Sequence, residues 1–174
     1  AVPTTAPEYV VFEGPGMDAF AESPEWGCTF VVLPFMYYET YGDDSLIRKY
    51  YNGMRRYIDY MTTRANDGIV SFGLGDWYDY GDFRAGFSRN TPVPLVATAH
   101  YYMVVRYLVE AARMLDNRYD VAYYTHLGEE INKAFHREFY HKDTRQYGTG
   151  SQCSNALPLF LGMVPADDRQ AGLD

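Results

Sequence analysis

Two kinds of helical segment alternate along this chain, and that alternation constrains the fold more than any other feature. Residues 28–41 and the first half of residues 92–115 are apolar almost all round, and residues 151–163 are mostly apolar, which predicts helices buried among other elements. Residues 44–64 and 120–139 carry apolar side chains at three- and four-residue spacing on one face only, which predicts helices with one side in water. Short turns join the helices, so consecutive ones are expected to be antiparallel neighbours. We therefore predict an all-α fold with an inner layer of apolar helices and an outer layer of amphipathic ones.

The first apolar segment, residues 28–41, has a second interpretation. Pro34 is expected to kink a helix here, and the β-branched pair Val31–Val32 keeps a strand as the weaker alternative. Gly42 follows, a residue suited to the left-handed end of a helix. Elsewhere no stretch with the period of a strand competes with the helices. The polar run that begins at Pro165 is expected to open one more helix.

Residues 1–25 are rich in Pro, Gly and Glu, so we predict an irregular N-terminal segment followed by one helical domain over residues 26–174. Cys28 and Cys153 fit neither a metal spacing nor a disulfide framework, and free thiols are expected unless their backbones come close. The formal charge of −8 argues against nucleic acid and anionic membranes as partners, because both require basic patches. No apolar run reaches the length of a membrane span. No targeting segment is visible, so the compartment stays open, a periplasmic or secreted one included.

The layered arrangement predicts where the connecting turns lie. Inner helices that all run in the same direction gather their N-terminal ends at one rim of the fold. The segments that lead into them are the turn around Trp26, the loop 73–90 and the turn 146–151, followed by Gln152. We therefore expect these three segments to meet at a single mouth.

The loop contains the most unusual stretch of the chain, Gly73 to Phe83, in which carboxylates are interspersed with aromatic rings. An indole can stack on the apolar C–H edges of a sugar while carboxylate oxygens accept hydrogen bonds from its hydroxyls. The simpler interpretation is an aromatic turn with solvated aspartates. The expected position at the mouth favours sugar binding. The candidate substrate-binding residues are Trp26, Asp76, Trp77, Tyr78 and Asp79.

Asp76 and Asp79 are three residues apart in one loop, so we do not expect them to flank a scissile bond as the two carboxylates of a glycosidase do. One of them could act as a base, but holding hydroxyls is the favoured role. Other chemistries fail on spacing, because the chain has no calcium-loop pattern, no zinc pair beside a cysteine, no serine-hydrolase elbow and no phosphate loop. We expect no metal ion and no cofactor.

Several short motifs occur in a fixed order along most of the chain, between residues 22 and 165. They are Trp26 after Ser-Pro-Glu, Leu33-Pro34, Tyr41-Gly-Asp43, Gly75-Asp-Trp77, and Gln152 ahead of Ala156-Leu-Pro. Together with the tyrosine-rich helix over 44–64, this set resembles the catalytic domain of α-L-rhamnosidases, glycoside hydrolase family 78. The resemblance implies part, about half, of an (α/α)6 toroid of alternating inner and outer antiparallel helices. It also implies inverting hydrolysis with a terminal rhamnose at the mouth, where Trp26 and Trp77 line the sugar subsite and Asp76 lies nearby.

The family's two catalytic glutamates are expected outside this chain. The general acid belongs to an Asp-Arg-Asp-Glu-like motif that is expected before Ala1, and the general base is expected beyond Asp174. Glu22 and Glu25 precede a tryptophan but lack the Arg-Asp neighbours, so neither is assigned a catalytic role. The chain alone is therefore expected to be inactive.

We thus predict a fragment of an inverting glycoside hydrolase that releases terminal α-L-rhamnose from glycosides or oligosaccharides and contributes part of the sugar pocket. One alternative is another inverting (α/α)6 glycosidase that acts on a different sugar. The second is a non-catalytic helical module, either a carbohydrate-binding one or a repeat. Half a toroid would leave apolar helix faces uncovered, so we also expect this chain to pair with another copy or to rearrange its ends.

Overall fold

The computed structural model describes residues 12, 14–15 and 17–169. Two single-turn helices, α1 (Asp18–Ala21) and α2 (Pro24–Gly27), precede the long helices. These follow the predicted alternation: α3 (Thr29–Tyr41), α4 (Ser45–Arg64), α5 (Val93–Met114), α6 (Arg118–Phe139) and α7 (Gln152–Phe160). Two short antiparallel hairpins lie in the connections, β1 (Asp79–Gly81) with β2 (Phe83–Gly86) and β3 (Tyr140–His141) with β4 (Gln146–Tyr147).

Contacts between side chains show that consecutive helices run antiparallel, as predicted. Near the end of α4, the Thr62 hydroxyl lies 2.7 Å from the hydroxyl of Tyr101, which is in the first half of α5. In the first half of α4, Tyr51 donates a hydrogen bond of 2.6 Å to Asp120 in the first turn of α6. Helices α4 and α6 therefore start at the same end of the fold, and α5 runs between them in the opposite direction.

The inner helices α5 and α7 run in the same direction. The hydroxyls of Thr91, just before α5, and Ser151, just before α7, lie 2.8 Å apart. Farther along both helices, Arg106 Nη1 donates a 2.6 Å hydrogen bond to the carbonyl oxygen of Leu161. The N-terminal ends of these two inner helices therefore share one rim, which is the arrangement that the layered prediction requires.

An apolar core fills the space between the layers. Its larger cluster joins α3, α4, α5 and α6 through buried side chains such as Val31, Ile47, Met54, Ile58, Leu108 and Ile131. A smaller cluster packs the start of α5 against the end of α6 and the residues after α7 through Leu95, Phe135, Phe139, Tyr147 and Met163. Each side chain of this size contributes about 1.5–3 kcal/mol when it is fully removed from water, so these clusters hold the two layers together.

The predicted helix over residues 28–41 is confirmed, and the strand alternative is wrong. Pro34 lies inside α3 and is buried. Gly42 ends the helix with φ at +69°, in the left-handed region that glycine adopts without a steric cost. Ser151 begins α7 as predicted, because its side chain accepts a 3.2 Å hydrogen bond from the Ser154 N–H.

The secondary structure differs from the sequence prediction in the connections. Both hairpins occupy segments where no strand was predicted, since strands of two to four residues are too short to leave a pattern of alternating burial. The helix predicted from Pro165 is a 3₁₀ turn at Ala166–Asp168, and residues 170–174 lie outside the described part.

The predicted irregular segment over residues 1–25 is described only in part, because residues 1–11, 13 and 16 lie outside the described residues. Where it is described, α1 and the start of α2 are helical turns rather than irregular chain. The division of the chain into residues 1–25 and a helical domain over 26–174 stays a prediction.

Helix α3 is not buried all round, although its composition predicts that it should be. Val31 and Phe35 face the core, whereas Leu33 and Met36 are 56% and 55% exposed. Phe160, the last residue of α7, is 82% exposed. Inner helices near both ends of the described chain therefore present large apolar side chains to solvent.

Candidate functional site

The three segments predicted to form one mouth are in contact at the rim. The carboxylate of Glu25, in α2, accepts a 3.0 Å hydrogen bond from the backbone N–H of Gly75. In the same loop, Asp76 Oδ2 accepts a 3.2 Å hydrogen bond from the hydroxyl of Thr91. The Thr91 hydroxyl in turn lies 2.8 Å from that of Ser151. These contacts join α2, the aromatic loop and the turn before α7, so the predicted convergence is confirmed.

An aromatic cluster links the two tryptophans of the chain. The ring of Phe20 lies between them, with its centroid 6.0 Å from that of Trp26 and 5.1 Å from that of Trp77. Phe12 stacks on Phe20 at 5.4 Å, and Phe87, just after β2, lies 5.9 Å from Phe20 and 5.7 Å from Trp77. Tyr78 meets Trp77 edge to face at 5.1 Å. Edge-to-face packing of this kind fixes ring orientation as well as burying area.

The cluster is open to solvent on one side. Trp77 is 36% exposed and Tyr78 is 60% exposed, whereas Trp26 is half-buried. A partly exposed indole beside an exposed phenol presents an apolar face with a polar tip next to it. Of the predicted site residues, the structure therefore brings Trp26, Trp77 and Tyr78 into one surface cluster, and Asp76 precedes Trp77 in the same loop.

Asp79 faces into the loop rather than towards the mouth. Its side chain is buried, and its two oxygens accept hydrogen bonds from the backbone N–H groups of Tyr80, Arg89 and Asn90 and from the Asn90 side-chain amide, at 2.6–2.8 Å. The N–H groups of Arg89 and Asn90 hold the pKa of Asp79 below its ordinary value, so the group is a carboxylate at neutral pH. Four accepted bonds fill the acceptor positions of a carboxylate. We therefore assign Asp79 to holding the loop closed and not to holding a sugar hydroxyl.

Asp76 differs from Asp79 in its surroundings. Its carboxylate is half-buried between the loop and α7, with Thr91 on one oxygen. Burial and then the negative charge of Asp76 raise the pKa of the nearby Cys153 thiol to about 11, so that thiol is protonated at neutral pH. Cys28 and Cys153 are both free, as expected. Asp76 therefore retains acceptor positions for a ligand, and unlike the exposed Asp82 of the same loop it is half-buried at the rim.

Glu22 and Glu25, the two glutamates close to Trp26, make structural contacts. Glu22 accepts hydrogen bonds of 2.5 Å from the Tyr60 hydroxyl and from Arg64 Nη1. Burial raises the pKa of Glu22, but the bonds from Tyr60 and Arg64 outweigh it and hold the pKa below its ordinary value. Glu22 is therefore an ionised anchor between α1 and α4, which agrees with giving it no catalytic role.

Sequence reasoning missed Phe20, Phe87 and Thr91. Phe20 and Phe87 are single aromatic residues in segments without periodicity, and no sequence signal distinguishes them from ordinary apolar side chains. Thr91 could have been found, because it lies at the predicted rim, just before Pro92 and the first residue of α5. Gln152, also expected at the mouth, is the exposed first residue of α7.

Two further features of the described residues bear on the kind of site. Among the residues that the structure describes, no group of three or more His, Cys, Asp or Glu side chains is arranged to hold a metal ion. In the same part of the chain, every helix is too short or too polar to cross a bilayer.

A comparison with protein families matches residues 1–173 to the bacterial α-L-rhamnosidase six-hairpin glycosidase domain. Among curated proteins, an α-L-rhamnosidase of Formosa agariphila is 28% identical over 153 residues, covering 83% of this chain and 16% of the relative. One from Streptomyces avermitilis is 28% identical over 151 residues, covering 86% and 14%. This chain therefore spans less than a fifth of the length of these relatives.

Solved structures give the same result. The α-L-rhamnosidase from Dictyoglumus thermophilum superposes with a TM-score of 0.82 at 29% identity, covering 88% of this chain and 18% of that chain. The Streptomyces avermitilis α-L-rhamnosidase complexed with L-rhamnose superposes with a TM-score of 0.74 at 26% identity, covering 84% and 13%. The predicted fold is thus confirmed, and helices α3 to α7 form part of an (α/α)6 toroid.

Proposed function

Because the chain belongs to the bacterial α-L-rhamnosidase six-hairpin glycosidase domain family, we propose that it is part of an inverting glycoside hydrolase that releases terminal α-L-rhamnose from glycosides. In this proposal the chain forms one wall of the sugar pocket. The general acid and the general base are provided by parts of the enzyme outside these residues.

The position of the partly exposed Trp77 next to Asp76 carries the proposal. A 6-deoxy sugar has an apolar edge, including its methyl group, that packs on aromatic rings, and hydroxyls that need hydrogen-bond acceptors. Trp26 and Trp77 provide the rings, and Asp76 provides acceptor oxygens on the same loop. The phenol of Tyr78 adds a group that can both donate and accept. An aromatic turn with merely solvated aspartates would not need two indoles joined through Phe20.

The contacts of Asp76 and Asp79 argue against an acid–base pair within this loop. An inverting glycosidase holds its acid and its base on opposite sides of the scissile bond, roughly 6.5–9.5 Å apart, with a water between. Asp79 is fully engaged with the backbone of its own loop. Asp76 alone cannot supply both groups, so the isolated chain should not hydrolyse an aryl α-L-rhamnoside.

Titration with L-rhamnose tests this function directly. The chain has two tryptophans and both belong to the aromatic cluster, so fluorescence excited where tyrosine does not absorb reports on the candidate site. We expect a saturable change that Trp77→Ala abolishes and Asp76→Asn weakens. Tyr119→Ala, which removes a ring that is 76% exposed on α6, is the control and should leave the response unchanged.

The sugar series separates the alternatives. L-Mannose differs from L-rhamnose only in carrying a hydroxyl on C6, so an apolar niche for the methyl group should favour rhamnose. An equal response to both sugars would favour a different sugar specificity on the same toroid. The absence of any response to L-rhamnose would contradict the assignment of Trp26, Asp76, Trp77 and Tyr78 to the pocket. Turnover of an aryl rhamnoside that depends on Asp76 or Asp79 would place the acid–base pair in this chain.

We also propose that the isolated chain associates with a second copy through its uncovered apolar faces. Leu33 and Met36 form one such face on α3, and Phe160 borders a groove of about 240 Å³ between α5 and α7. Soluble monomers rarely leave large contiguous apolar patches in water. Neither nucleic acid nor a membrane is an expected partner, because the net charge of −8 opposes both.

A further inference from the structure

The carboxylate of Glu25 ties together the two turns that carry the tryptophans. Its Oε1 accepts a hydrogen bond from the Gly75 N–H at 3.0 Å, and its Oε2 accepts one from the Leu74 N–H at 3.3 Å. The hydroxyl of Ser23 donates to the same Oε2 and also lies 3.3 Å from the Leu74 nitrogen. Ser23 and Leu74 are buried, so these bonds are shielded from water and are stronger than exposed ones.

The hydrogen bonds continue from Glu25 to the backbone of Trp77. The Gly75 N–H donates to the carboxylate, and the Gly75 carbonyl oxygen accepts a 2.9 Å hydrogen bond from the backbone N–H of Trp77. On the other side, Trp26 is the next residue after Glu25 in the chain. One carboxylate therefore sets the backbone position of both aromatic side chains of the candidate site.

Glycine at position 73 shows how closely the two turns approach each other. A Cβ atom on Gly73 would lie 2.6 Å from Glu25 Oε2 and 2.8 Å from Pro24 Cδ. The residue also has φ at +130°, which an L side chain rarely adopts. The loop can thus sit on the carboxylate only because no side chain stands between them.

We propose that Glu25 is a positioning residue of the sugar site: it acts through Gly75 to hold Trp77 at a fixed distance from Trp26 and does not itself contact the sugar. This rests on the proposed function, because it assigns a role within the same pocket. This role requires both the negative charge of the carboxylate and the length of the glutamate side chain. A glutamine at this position would turn an N–H group towards a backbone N–H, and an aspartate would be one carbon too short to reach both Leu74 and Gly75.

The contacts of Glu25 exclude the more obvious role for a glutamate next to a tryptophan, that of a proton donor. Three donors point at its two oxygens, which is an arrangement suited to a permanent acceptor. A general acid needs instead a proton and a free path to the leaving group.

Fluorine NMR of the chain labelled with 5-fluorotryptophan tests the positioning role without requiring activity. Two signals are expected, and Trp26→Phe and Trp77→Phe assign them. We expect Glu25→Gln to move and broaden the Trp77 signal in the absence of sugar. We also expect it to weaken L-rhamnose binding on the order of tenfold, as the loss of charge-assisted hydrogen bonds implies. Glu39→Gln, the same charge change at an exposed position on α3, should alter neither.

A second variant keeps the test decisive if Glu25→Gln fails to fold. Gly73→Ala leaves Glu25 in place but pushes the loop off its carboxylate, and it should move the same Trp77 signal. An unchanged Trp77 signal in a folded Glu25→Gln or Gly73→Ala variant would overturn the positioning role. Failure of the proposed function would be distinguishable. In that case the wild-type chain would not respond to L-rhamnose, even if the Trp77 signal moved in the variants.

Discussion

The ring of Phe20 meets the indole of Trp77 edge to face, with 5.1 Å between the ring centroids. The same phenylalanine also contacts Trp26, so a residue of the N-terminal part of the chain connects two aromatic side chains that are far apart in sequence. The surface on which we propose that sugar binds thus depends on a residue that need not touch the sugar.

Replacing Phe20 should therefore loosen the aromatic cluster. Each aromatic pair contributes about 0.5–1.5 kcal/mol beyond its buried area, and Phe20→Ala removes its ring contacts with Phe12, Trp26, Trp77 and Phe87 together. We expect tryptophan emission to shift to longer wavelength and L-rhamnose binding to weaken. Phe160→Ala is the matched control, since its ring is 82% exposed on α7. Equal spectra for both variants would mean that Phe20 does not support the indoles.

The aromatic loop should open in acid. The backbone N–H groups of Arg89 and Asn90 hold the pKa of Asp79 below its ordinary value in the folded loop. This carboxylate therefore stabilises the closed loop at pH values above its unfolded pKa of about 4, and the stabilisation is lost as the pH falls through the folded value. The protection of the Arg89 and Asn90 amides, measured by NMR as their exchange rate relative to that of an unstructured peptide at the same pH, should fall over that range.

Two variants control the acid experiment. In Asp79→Asn the same two amides should be less protected at neutral pH, and their protection should no longer depend on pH in this range, because no carboxylate remains to be protonated. Asp82→Asn changes an exposed aspartate of the same loop and should behave like the wild-type chain. If all three proteins show the same acid dependence, another group controls the loop.

The buried Asp120 should contribute to global stability. It accepts hydrogen bonds from Tyr51 at 2.6 Å and from the Asn117 side chain at 2.8 Å, and Arg55 Nε lies 3.3 Å away. Asp120→Ala leaves these donors unpaired, so we expect the free energy of unfolding to fall by about 3 kcal/mol, at the lower end for buried pairs because Arg55 reaches water. Urea denaturation of the wild-type and variant proteins measures this difference in the free energy of unfolding. The exposed Glu129→Ala on the same helix should change stability by less than about 0.5 kcal/mol.

Self-association should depend on the uncovered face of α3. Leu33→Lys places a charge on that face and removes about 2 kcal/mol of apolar burial from a dimer, which raises the dissociation constant by roughly thirtyfold. Light scattering over a concentration series should show a smaller mass for the variant. Tyr119→Lys changes an exposed ring on α6 and should not reduce the mass. A wild-type chain that stays monomeric at high concentration would contradict the proposal.

The sequence was sufficient for the helices and their direction, because these depend on periodicity and on connection length. The apolar face of α4, with Ile47, Met54 and Ile58, repeats over many turns and leaves a strong signal. Inner helices that run in the same direction bring the segments before their first residues to one rim, so the loop was expected to meet the turn before α7. The contact of Thr91 with Ser151 confirms this.

Single contacts within the site could not be predicted in this way. Asp76 and Asp79 look equivalent in the sequence, yet backbone N–H groups surround one and the other borders α7. The orientation of each carboxylate depends on the turn geometry of the intervening residues, where β1 and β2 pair with an irregular register. A pattern of residue types does not encode such a turn. Uncovered apolar helix faces were expected of half a toroid, but the sequence did not identify α3 as one of them, since composition predicts how apolar a helix is and not whether a neighbour covers it.

The connections on the two ends of the helical layers differ greatly in length. Residues 42–44 and 115–117 close one end, whereas residues 65–92 and 140–151 occupy the end where the indoles lie. Apart from buried residues such as Val70, Leu74 and Tyr147, the long segments contribute little to the packing between the helices, so changes at their exposed positions leave that packing intact. Relatives of this chain can be expected to diverge in ligand preference by remodelling those segments while their scaffold stays constant, so an engineer who wishes to change specificity should begin there.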